Sequence, residues 1–313
     1  MSAMSSIRLL ALAAVVCCVP LVFGAATTAP PSSPQTTFAT PEEATAALVA
    51  AAEQFDVAAL AKILGPDGVD LVVTEDTVQD KNQSAAFAAM AKEHSKVVRD
   101  AKNSKKATFV IGNDDWPMPV PLVQKSGRWS FDSKAGRQEI LFRRIGRNEL
   151  DAIEVCRGYV EAQNEYASER HDGATINQYA QKIVSSPGKQ DGLAWKSADG
   201  TWEGPVGEGI ARVIAEGYST KYEPYHGYYF KVLKSQGPHA HMGAMDFVVK
   251  GAMIGGFALQ AAPSDYGVTG IMTFIVSHDG TVYEKDLGPD TMKAFQARTS
   301  YDPDPSWHPV AGD

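Results

Sequence analysis

The sequence predicts an α+β protein in two folded parts, a helix-rich N-terminal domain over residues 40–135 and a long helix packed on an antiparallel sheet over residues 136–301. Three observations carry this prediction. Helical patterns precede strand patterns in the first part, helical signals fill residues 133–170, and strand-like segments separated by turn residues fill most of the rest. Segregated helices and strands are typical of α+β folds. The 313 residues are 44% apolar and 21% charged, which fits a globular chain of two domains.

Residues 1–26 have the layout of a cleavable secretory signal peptide. Arg8 precedes an uncharged apolar run over 9–23, and small residues follow near Gly24 and Ala26, where we expect cleavage. The run is shorter than the about 20 apolar residues that span a bilayer, and Pro20 interrupts it. We therefore expect a periplasmic or secreted protein without a membrane span after signal removal. An uncleaved anchor is the alternative interpretation.

The net charge of the chain argues against nucleic-acid binding, and its cysteine content argues against an intrachain disulfide. The 29 basic and 37 acidic residues give a net charge of −8, which becomes −9 when the signal peptide removes Arg8. An acidic chain without Lys/Arg runs does not bind nucleic acid through charge. Of the three cysteines only Cys156 lies outside the signal peptide, so no intrachain disulfide is expected. Its apolar helical spacing from Ile153 and Tyr159 predicts a buried structural thiol rather than a nucleophile.

The N-terminal domain begins after a Pro/Ser/Thr-rich segment, 27–39, that we predict to be a flexible leader. Thr40 and Pro41 then have the N-cap and first-turn positions of a helix. A second helix is predicted over 57–64, closed by Gly65 and Pro66, and a third over 84–100. Strands are predicted over 107–112 and 120–124, with a turn at 125–128 into Trp129.

The second part begins with helical signals over 133–170. Gly136 and Gly146 weaken an unbroken helix, so one helix and two helices meeting near Gly146 are both consistent with the sequence. A long connection follows over 185–209, then a short helix over 209–217. Strands are predicted over 225–233, 246–250, 257–261, 272–277 and 282–285, with turns at 250–251 and 278–281, and a flexible tail over 302–313.

Several long segments resemble, in order, a bacterial family of exported proteins called domain of unknown function 2950. They include TPEEATAALVAAA (40–52), GNDDWPMPVPLV (112–123), GRQEILFRRIGRNEL (136–150), PYHGYYFKVL (224–233) and GGFALQAAPSDYGVTGIMTFIVSHDGTVYEKDLG (255–288). The resemblance implies export and a two-part architecture, and it supplies no catalytic residues. Residues 38–132 also resemble the cone of nuclear-transport-factor-two-like proteins. Residues 148–288 are similar to the globular head of type IV pilins and pseudopilins, although here a whole domain precedes the helix.

The first candidate ligand-binding group is Asp114, Asp115 and Trp116, after a predicted strand. Adjacent carboxylates there can bind a cation or serve in acid/base chemistry. Asp residues are also common in turns, and Pro117 forces Trp116 to be extended, so a structural turn is the competing interpretation.

The other candidates lie in the second part of the chain. Arg143 and Arg147 are four residues apart and share a helix face, where they could contact an anion or pair with carboxylates between the two halves. Tyr225, His226 and Tyr228 form the densest aromatic patch, and a strand there would place His226 and Tyr228 on one face.

No catalytic residue, metal site or cofactor is predicted, because the common catalytic and phosphate-binding motifs are missing from the sequence. The first hypothesis is a non-enzymatic envelope protein that binds a protein or a small ligand. The second is a small-molecule binder, or a hydrolase or isomerase, with its pocket in the N-terminal domain near Asp114, Asp115 and Trp116.

Overall fold

A computed structural model describes residues 34–72, 77–209 and 224–311. The fold is α+β, as predicted. Three helices precede the first sheet: α1 (Pro41–Glu53), α2 (Val57–Leu64) and α3 (Thr77–Glu93), with a short 3₁₀ helix (Val69–Leu71) before α3. The predicted N-cap is confirmed, since Thr40 Oγ1 accepts from the Glu43 amide at 3.1 Å and Glu43 in turn accepts from the Ala39 amide at 3.0 Å. The arrangement resembles a capping box, except that Glu43 accepts from the amide of the residue before the N-cap rather than from that of Thr40.

The prediction of a third helix over 84–100 is wrong at its end. The helix α3 stops at Glu93, and residues Ser95–Arg99 form strand β1, paired with β2 in antiparallel register from Ser95 opposite Ile111 to Arg99 opposite Ala107. The β-branched Val97 and Val98 favour a strand once a partner strand is present, and local sequence does not reveal that partner.

The first sheet contains β1 (Ser95–Arg99), β2 (Lys106–Ile111), β3 (Trp116–Pro117), β4 (Leu122–Lys125) and β5 (Arg128–Phe131). The strand order is β1-β2-β4-β5, with β3 also paired to β2. The predicted turn between β4 and β5 is confirmed: Ser126 and Gly127 both have positive φ, 50° and 78°, which matches the twist of a tight hairpin. The three helices cover one face of this sheet and enclose the N-terminal core.

The part of the predicted flexible leader that the structure describes, 34–39, is bound to this domain. Gln35 Nε2 donates to the carbonyl oxygens of Ile63 at 3.0 Å and Phe131 at 2.8 Å. Phe38 forms a β-bridge with Trp129 and so covers the outer edge of β5. The prediction is therefore wrong for these residues, because composition does not show which backbone groups a polar segment can satisfy.

One continuous helix, α4 (Ser133–Tyr166), connects the two halves, which decides between the one-helix and two-helix alternatives. The predicted domain boundary at 135/136 lies inside its first turn. Asp132 caps the helix by accepting from the Ala135 amide at 3.0 Å. The connection after α4 contains a small hairpin, β6 (Trp195–Lys196) and β7 (Trp202–Glu203). The helix predicted over 209–217 falls, beyond Gly209, outside the described residues.

The strands of the second sheet are β8 (Tyr228–Leu233), β13 (Ala258–Pro263), β14 (Met272–Ser277), β15 (Val282–Asp286) and β16 (His308–Pro309). Their order in the sheet is β16-β15-β14-β13-β8. Two small hairpins lie before β13, namely β9 (Ser235–Gln236) with β10 (Met245–Asp246) and β11 (Val248–Val249) with β12 (Ala252–Met253). The predicted turns at 250–251 and 278–281 are confirmed by the pairs β11–β12 and β14–β15.

The described part of the predicted flexible tail, 302–311, is also ordered against the fold. A 3₁₀ turn (Gly288–Asp290) and helix α5 (Thr291–Ala297) lead into it, and β16 then pairs with β15. Trp307 is buried, with the guanidinium of Arg298 4.9 Å from its ring centre. The prediction of a frayed tail is wrong because one large aromatic residue anchors a segment that is otherwise polar and rich in proline.

The C-terminal core lies between α4 and the second sheet. Residues Ile153, Cys156, Tyr159 and Tyr166 of α4 pack against inward-facing side chains of β8, β13 and β14. Cys156 is completely buried, as predicted. Among the helices in the described ranges, none is both long and apolar enough to cross a membrane.

Candidate functional site

A pocket of about 260 Å³ opens in the N-terminal half. It is lined by residues of α1, α2, the 3₁₀ helix with Val72, α3, the segment 116–120 and α4, and several of these residues also belong to the N-terminal core. Most of its lining is apolar: Leu48, Ala52, Leu60, Leu64, Leu71, Val72, Phe87, Trp116, Met118, Pro119, Val120 and Ile140. A concave apolar surface of this kind is a common form of small-molecule site.

The polar groups of the pocket come from one helix. Asp80, Gln83 and Ser84 of α3 line it, and Asp80 lies in the first turn of that helix. Asp80 is only 5% exposed. Ser84 Oγ donates to the carbonyl oxygen of Ala52 at 2.9 Å, which ties α3 to α1 beside the pocket. The polar residues of the lining thus all belong to α3, which also contributes Phe87, while the other elements contribute apolar side chains only.

The mouth of the pocket is formed by two partly exposed apolar side chains, Trp116 at 43% and Ile140 at 39% exposure. Arg143 holds the first of them in place. Its guanidinium lies 5.6 Å from the Trp116 ring centre and donates to the Pro117 carbonyl oxygen at 2.8 Å. Glu139 accepts from Arg143 Nε at 2.8 Å, so the charge of Arg143 is paired along the helix.

Of the first predicted group only Trp116 lines this pocket. Asp114 is exposed, and Asp115 lies in the turn before β3 with a φ of 53°. Asp115 is 2.7 Å from Lys96 Nζ and 3.6 Å from His94 Nε2. The hydrogen bond from Lys96 lowers the pKa of Asp115 below its usual value. The structure thus places Asp115 in a surface ion pair with β1 and Trp116 at the pocket mouth.

The two predicted arginines have different environments. Arg143 contacts Trp116, a pairing that the sequence spacing did not predict. Arg147 is exposed and, among the described residues, makes no salt bridge within 4 Å. Arg143 thus pairs with a carboxylate of its own helix, and the anion contact predicted for the two arginines stays a prediction.

The aromatic group lies in the C-terminal half and not at the pocket. Tyr225 and Tyr228 exchange backbone hydrogen bonds around a turn, and His226 has a φ of 46° within it. The strand β8 starts only at Tyr228, so the prediction that His226 and Tyr228 share a strand face is wrong. His226 Nδ1 is 2.5 Å from Asp151 Oδ2 on α4, and the Tyr225 ring stacks on the imidazole. Tyr228 is buried and donates to the Met272 carbonyl oxygen at 2.9 Å.

These aromatic residues belong to a contact that fastens the middle of α4 to the second sheet. Asn148 Nδ2 donates to the Thr269 carbonyl oxygen at 2.8 Å. Glu149 accepts from the backbone amides of Ile271 and Met272 at 2.9 and 3.0 Å. The hydrogen bonds of this region go mainly to backbone groups, which indicates a structural role.

A second concavity of about 630 Å³ lies between α4, the connection 183–209 and strand β8. Its described lining is apolar with three carboxylates on it, Glu161, Glu165 and Glu208, and it includes Tyr225. Its lining residues Gly209 and Tyr225 lie on either side, in sequence, of the segment 210–223, which the structure does not describe. We therefore take the N-terminal pocket as the candidate site.

The sequence interpretation missed Asp80, Gln83 and Ser84. A usable signal existed, because Asp80, Ser84 and Phe87 are spaced by four and three residues and share one helix face. That face continues into the buried Ala88 and Ala91. Polar residues at the start of a stripe that is otherwise buried are a reason to look for a pocket there.

Comparison with known proteins gives a family and no activity. The family model described as protein of unknown function (DUF2950) matches residues 35–310. No curated protein and no solved structure matches the chain. Because the match extends over almost the whole chain, this protein belongs to the DUF2950 family.

Proposed function

We propose that this protein is an exported binding protein without catalytic activity, and that its N-terminal pocket holds a small, largely apolar molecule. The observation that carries the proposal is the pocket itself, which has an apolar floor, three polar residues on one helix and a partly exposed mouth. Pockets for drug-sized ligands usually measure about 300–1,000 Å³. At about 260 Å³ this one suits a smaller molecule.

The absence of a catalytic role is supported by the lining. Asp80 is the one ionisable side chain among the described lining residues. General acid/base catalysis usually uses two groups with different proton affinities within reach of the substrate. A single carboxylate in an apolar cavity suits binding better.

The cellular location and the two fold relationships are part of the same proposal. Residues 1–26 support export to the periplasm or beyond, and N-terminal sequencing of the processed protein would test it, with a start near residue 25 or 27 expected. Three helices on one face of the first sheet support a nuclear-transport-factor-two-like cone. The packing of α4 on an antiparallel meander supports a pilin-head-like second half.

A small neutral probe tests the pocket directly. Cyclohexanol has seven heavy atoms, and the usual range of binding energy per atom gives it a Kd on the order of a millimolar. NMR titration measures such affinities. We expect cyclohexanol to shift the amide signals of Gln83 and Ser84 and the indole signal of Trp116.

Two variants on α4 locate the binding. Ile140→Trp fills the mouth of the pocket and should abolish these shifts. Leu150→Trp is the matched control, because Leu150 is 66% exposed on the same helix and is not part of the lining. Failure of cyclohexanol to shift the three signals, or equal binding to the wild type and Ile140→Trp, would contradict the proposed function.

A further inference from the structure

We infer that residues 291–310, here named the C-terminal cover, open from the second sheet as a unit while both cores stay folded. The cover consists of α5 and the chain that follows it through β16. The inference goes beyond the proposed function, since the cover packs on the second sheet and the pocket lies in the N-terminal half. It follows from the places where the described part of the chain leaves buried polar atoms unpaired.

Unpaired polar atoms collect at the contact between the cover and the sheet. Within the described ranges, five buried side-chain atoms have no hydrogen-bond partner: both amide atoms of Gln260, the Thr273 hydroxyl, Arg298 Nε and the Tyr301 hydroxyl, which lies near Ser277 and Asp279. Native structures rarely leave buried side chains in this state. Arg298 and Tyr301 belong to the cover itself, and the strand register places the other two residues beneath it.

Gln260 on β13 is fully buried and faces the cover. It lies opposite Lys231 on β8, and side chains directly opposite each other in antiparallel strands are on the same face of a sheet. The Lys231 ammonium donates to three carbonyl oxygens at the end of α5, those of Phe295, Gln296 and Arg298, at 3.2, 3.0 and 2.7 Å. The lysine thus satisfies the end of the helix, while the amide of Gln260 stays unpaired.

Thr273 on β14 lies beneath the later part of the cover and is also fully buried. It is opposite Lys285 on β15, so the two side chains share a face of the sheet. The Lys285 ammonium donates to Ser306 Oγ and lies 5.7 Å from the ring centre of Trp307. Closing the cover therefore removes the Thr273 hydroxyl from water and supplies no partner for it.

Arg298 brings a positive charge to the same contact. Its guanidinium lies 4.9 Å from the ring centre of Trp307, and its Nε is buried without an acceptor. Burial lowers the pKa of Arg298, and the charges of Asp302 and Asp304 offset this effect in part. Removing a charged group from water without full pairing is unfavourable. Opening of the cover would return this side chain to water.

The cover is thus closed by apolar burial and opposed by its polar atoms. Phe295 and Trp307 are buried when it is closed, which favours the closed state. Each unpaired atom weakens that state, because water would bond to it after opening. Backbone pairing adds little, since β16 pairs with β15 at two positions only and one of them is Pro309. We therefore expect the cover to open at a lower free energy than the centre of the sheet.

Hydrogen exchange of the full chain, followed by NMR, measures this opening. The amides of α5 and the amide of Val310, which donates to the Val282 carbonyl oxygen at 2.9 Å, should show one common, low protection. The amides of β13 and β14 should be far better protected. Equal protection of the cover and these two strands would overturn the inference. Different protection of α5 and Val310 would show that the cover is not a unit, and would overturn it as well.

Two buried glutamines test the part played by the unpaired atoms. Gln260→Met removes two unpaired atoms at similar size and should slow exchange throughout the cover about tenfold. Gln163→Met is the matched control, because Gln163 is equally buried but bonds to the Tyr159 hydroxyl and to both backbone groups of Ala180. This control should lower the urea midpoint and should not slow exchange in the cover.

A pair of threonines gives an independent measurement. Thr273→Val removes the unpaired hydroxyl and should also slow exchange in the cover. Thr291→Val is its control and should speed exchange, because the Thr291 hydroxyl donates to the Gly288 carbonyl oxygen at 2.6 Å. Enclosed water bound to Gln260 and Thr273 predicts the reverse, since Met and Val cannot hold it. Unchanged or faster exchange in both Gln260→Met and Thr273→Val would therefore overturn the inference.

Discussion

Two glycines inside α4 lead to opposite predictions for the same substitution. A Cβ added at Gly136 would lie 2.7 Å from Val120 Cγ2 and 3.1 Å from Val120 Cα, closer than ordinary van der Waals contact. A Cβ added at Gly146 meets no atom within 4 Å. Alanine is favoured over glycine within a helix by about 1 kcal/mol, and only Gly146 can gain it without a clash.

The magnitude at Gly136 depends on whether Val120 can move. Val120 is buried, and its neighbours are held by backbone hydrogen bonds from Met118 to the Phe109 carbonyl oxygen and from Asp132 to the Pro121 carbonyl oxygen, both 2.8 Å. Overpacking at such a site costs about 1–3 kcal/mol, which exceeds or cancels the helix gain. We expect Gly136→Ala to lower the free energy of unfolding by about 0–2 kcal/mol and Gly146→Ala to raise it by about 1 kcal/mol.

Urea unfolding followed by circular dichroism measures both changes. With a slope of about 3 kcal/mol per molar urea, Gly146→Ala should raise the midpoint by about 0.3 M. Gly136→Ala should leave the midpoint unchanged or lower it. The two sites are about 15 Å apart along the helix, so the double variant should be additive to within about 0.5 kcal/mol. Equal stabilisation by both substitutions would refute the close packing of α4 on Val120.

Three further predictions concern the C-terminal half. Burial and the charge of Glu149 raise the pKa of Glu284, so the contribution of Glu284 to stability is present at low pH and is lost as the pH rises through that raised pKa. Glu284→Gln should therefore raise the urea midpoint at pH 8 and leave it unchanged at pH 3.5. Equal effects of the substitution at the two pH values would contradict this prediction. Trp307→Ala should lower the free energy of unfolding by about 3–5 kcal/mol in urea titrations, because Trp307 is buried in the last described segment, and a change below about 1 kcal/mol would show that the segment is not anchored. Cys156 should react with a thiol reagent only in denaturant, because it is fully buried, and rapid labelling of the folded protein would refute its position.

The elements that the sequence predicted correctly are those with local signals. Thr40 specifies the start of α1 through a hydrogen bond to a residue three positions away, and the turn at 278–281 joins two strands that are adjacent in sequence. The strand β1 was missed because three of its five residues are polar and it follows a helix directly, although its partner is the next strand; the ordered tail was missed because its partner is distant in sequence. Residues 95–99 pair with strand β2 across a turn, and His308 lies opposite Glu284, 24 positions earlier in the chain. Such pairing depends on tertiary structure, which residue patterns do not show.

The candidate site was predictable only in part for the same reason. Trp116 was predicted only as the neighbour of Asp114 and Asp115, and its extended backbone before Pro117 supported the competing interpretation of a structural turn. The sequence interpretation assigned the carboxylate to Asp114 and Asp115, which the structure places outside the lining, whereas the pocket uses Asp80 from a helix more than 30 positions earlier. Which carboxylate faces a cavity depends on how α3 packs against α1 and the segment 116–120, and no local pattern encodes that packing.

The continuity of α4 links the pocket to the second half of the protein. The helix is 34 residues long, about 50 Å, and its first turn is tied to the N-terminal core where Ser133 Oγ donates to the Leu64 carbonyl oxygen at 2.7 Å. Ile140, two turns later, completes the pocket mouth. From Asn148 onward the same helix is fastened to the second sheet and then enters its core. Because Ile140 belongs to a helix that is fastened to both halves, the N-terminal half cut at residue 135 would lack part of the pocket lining.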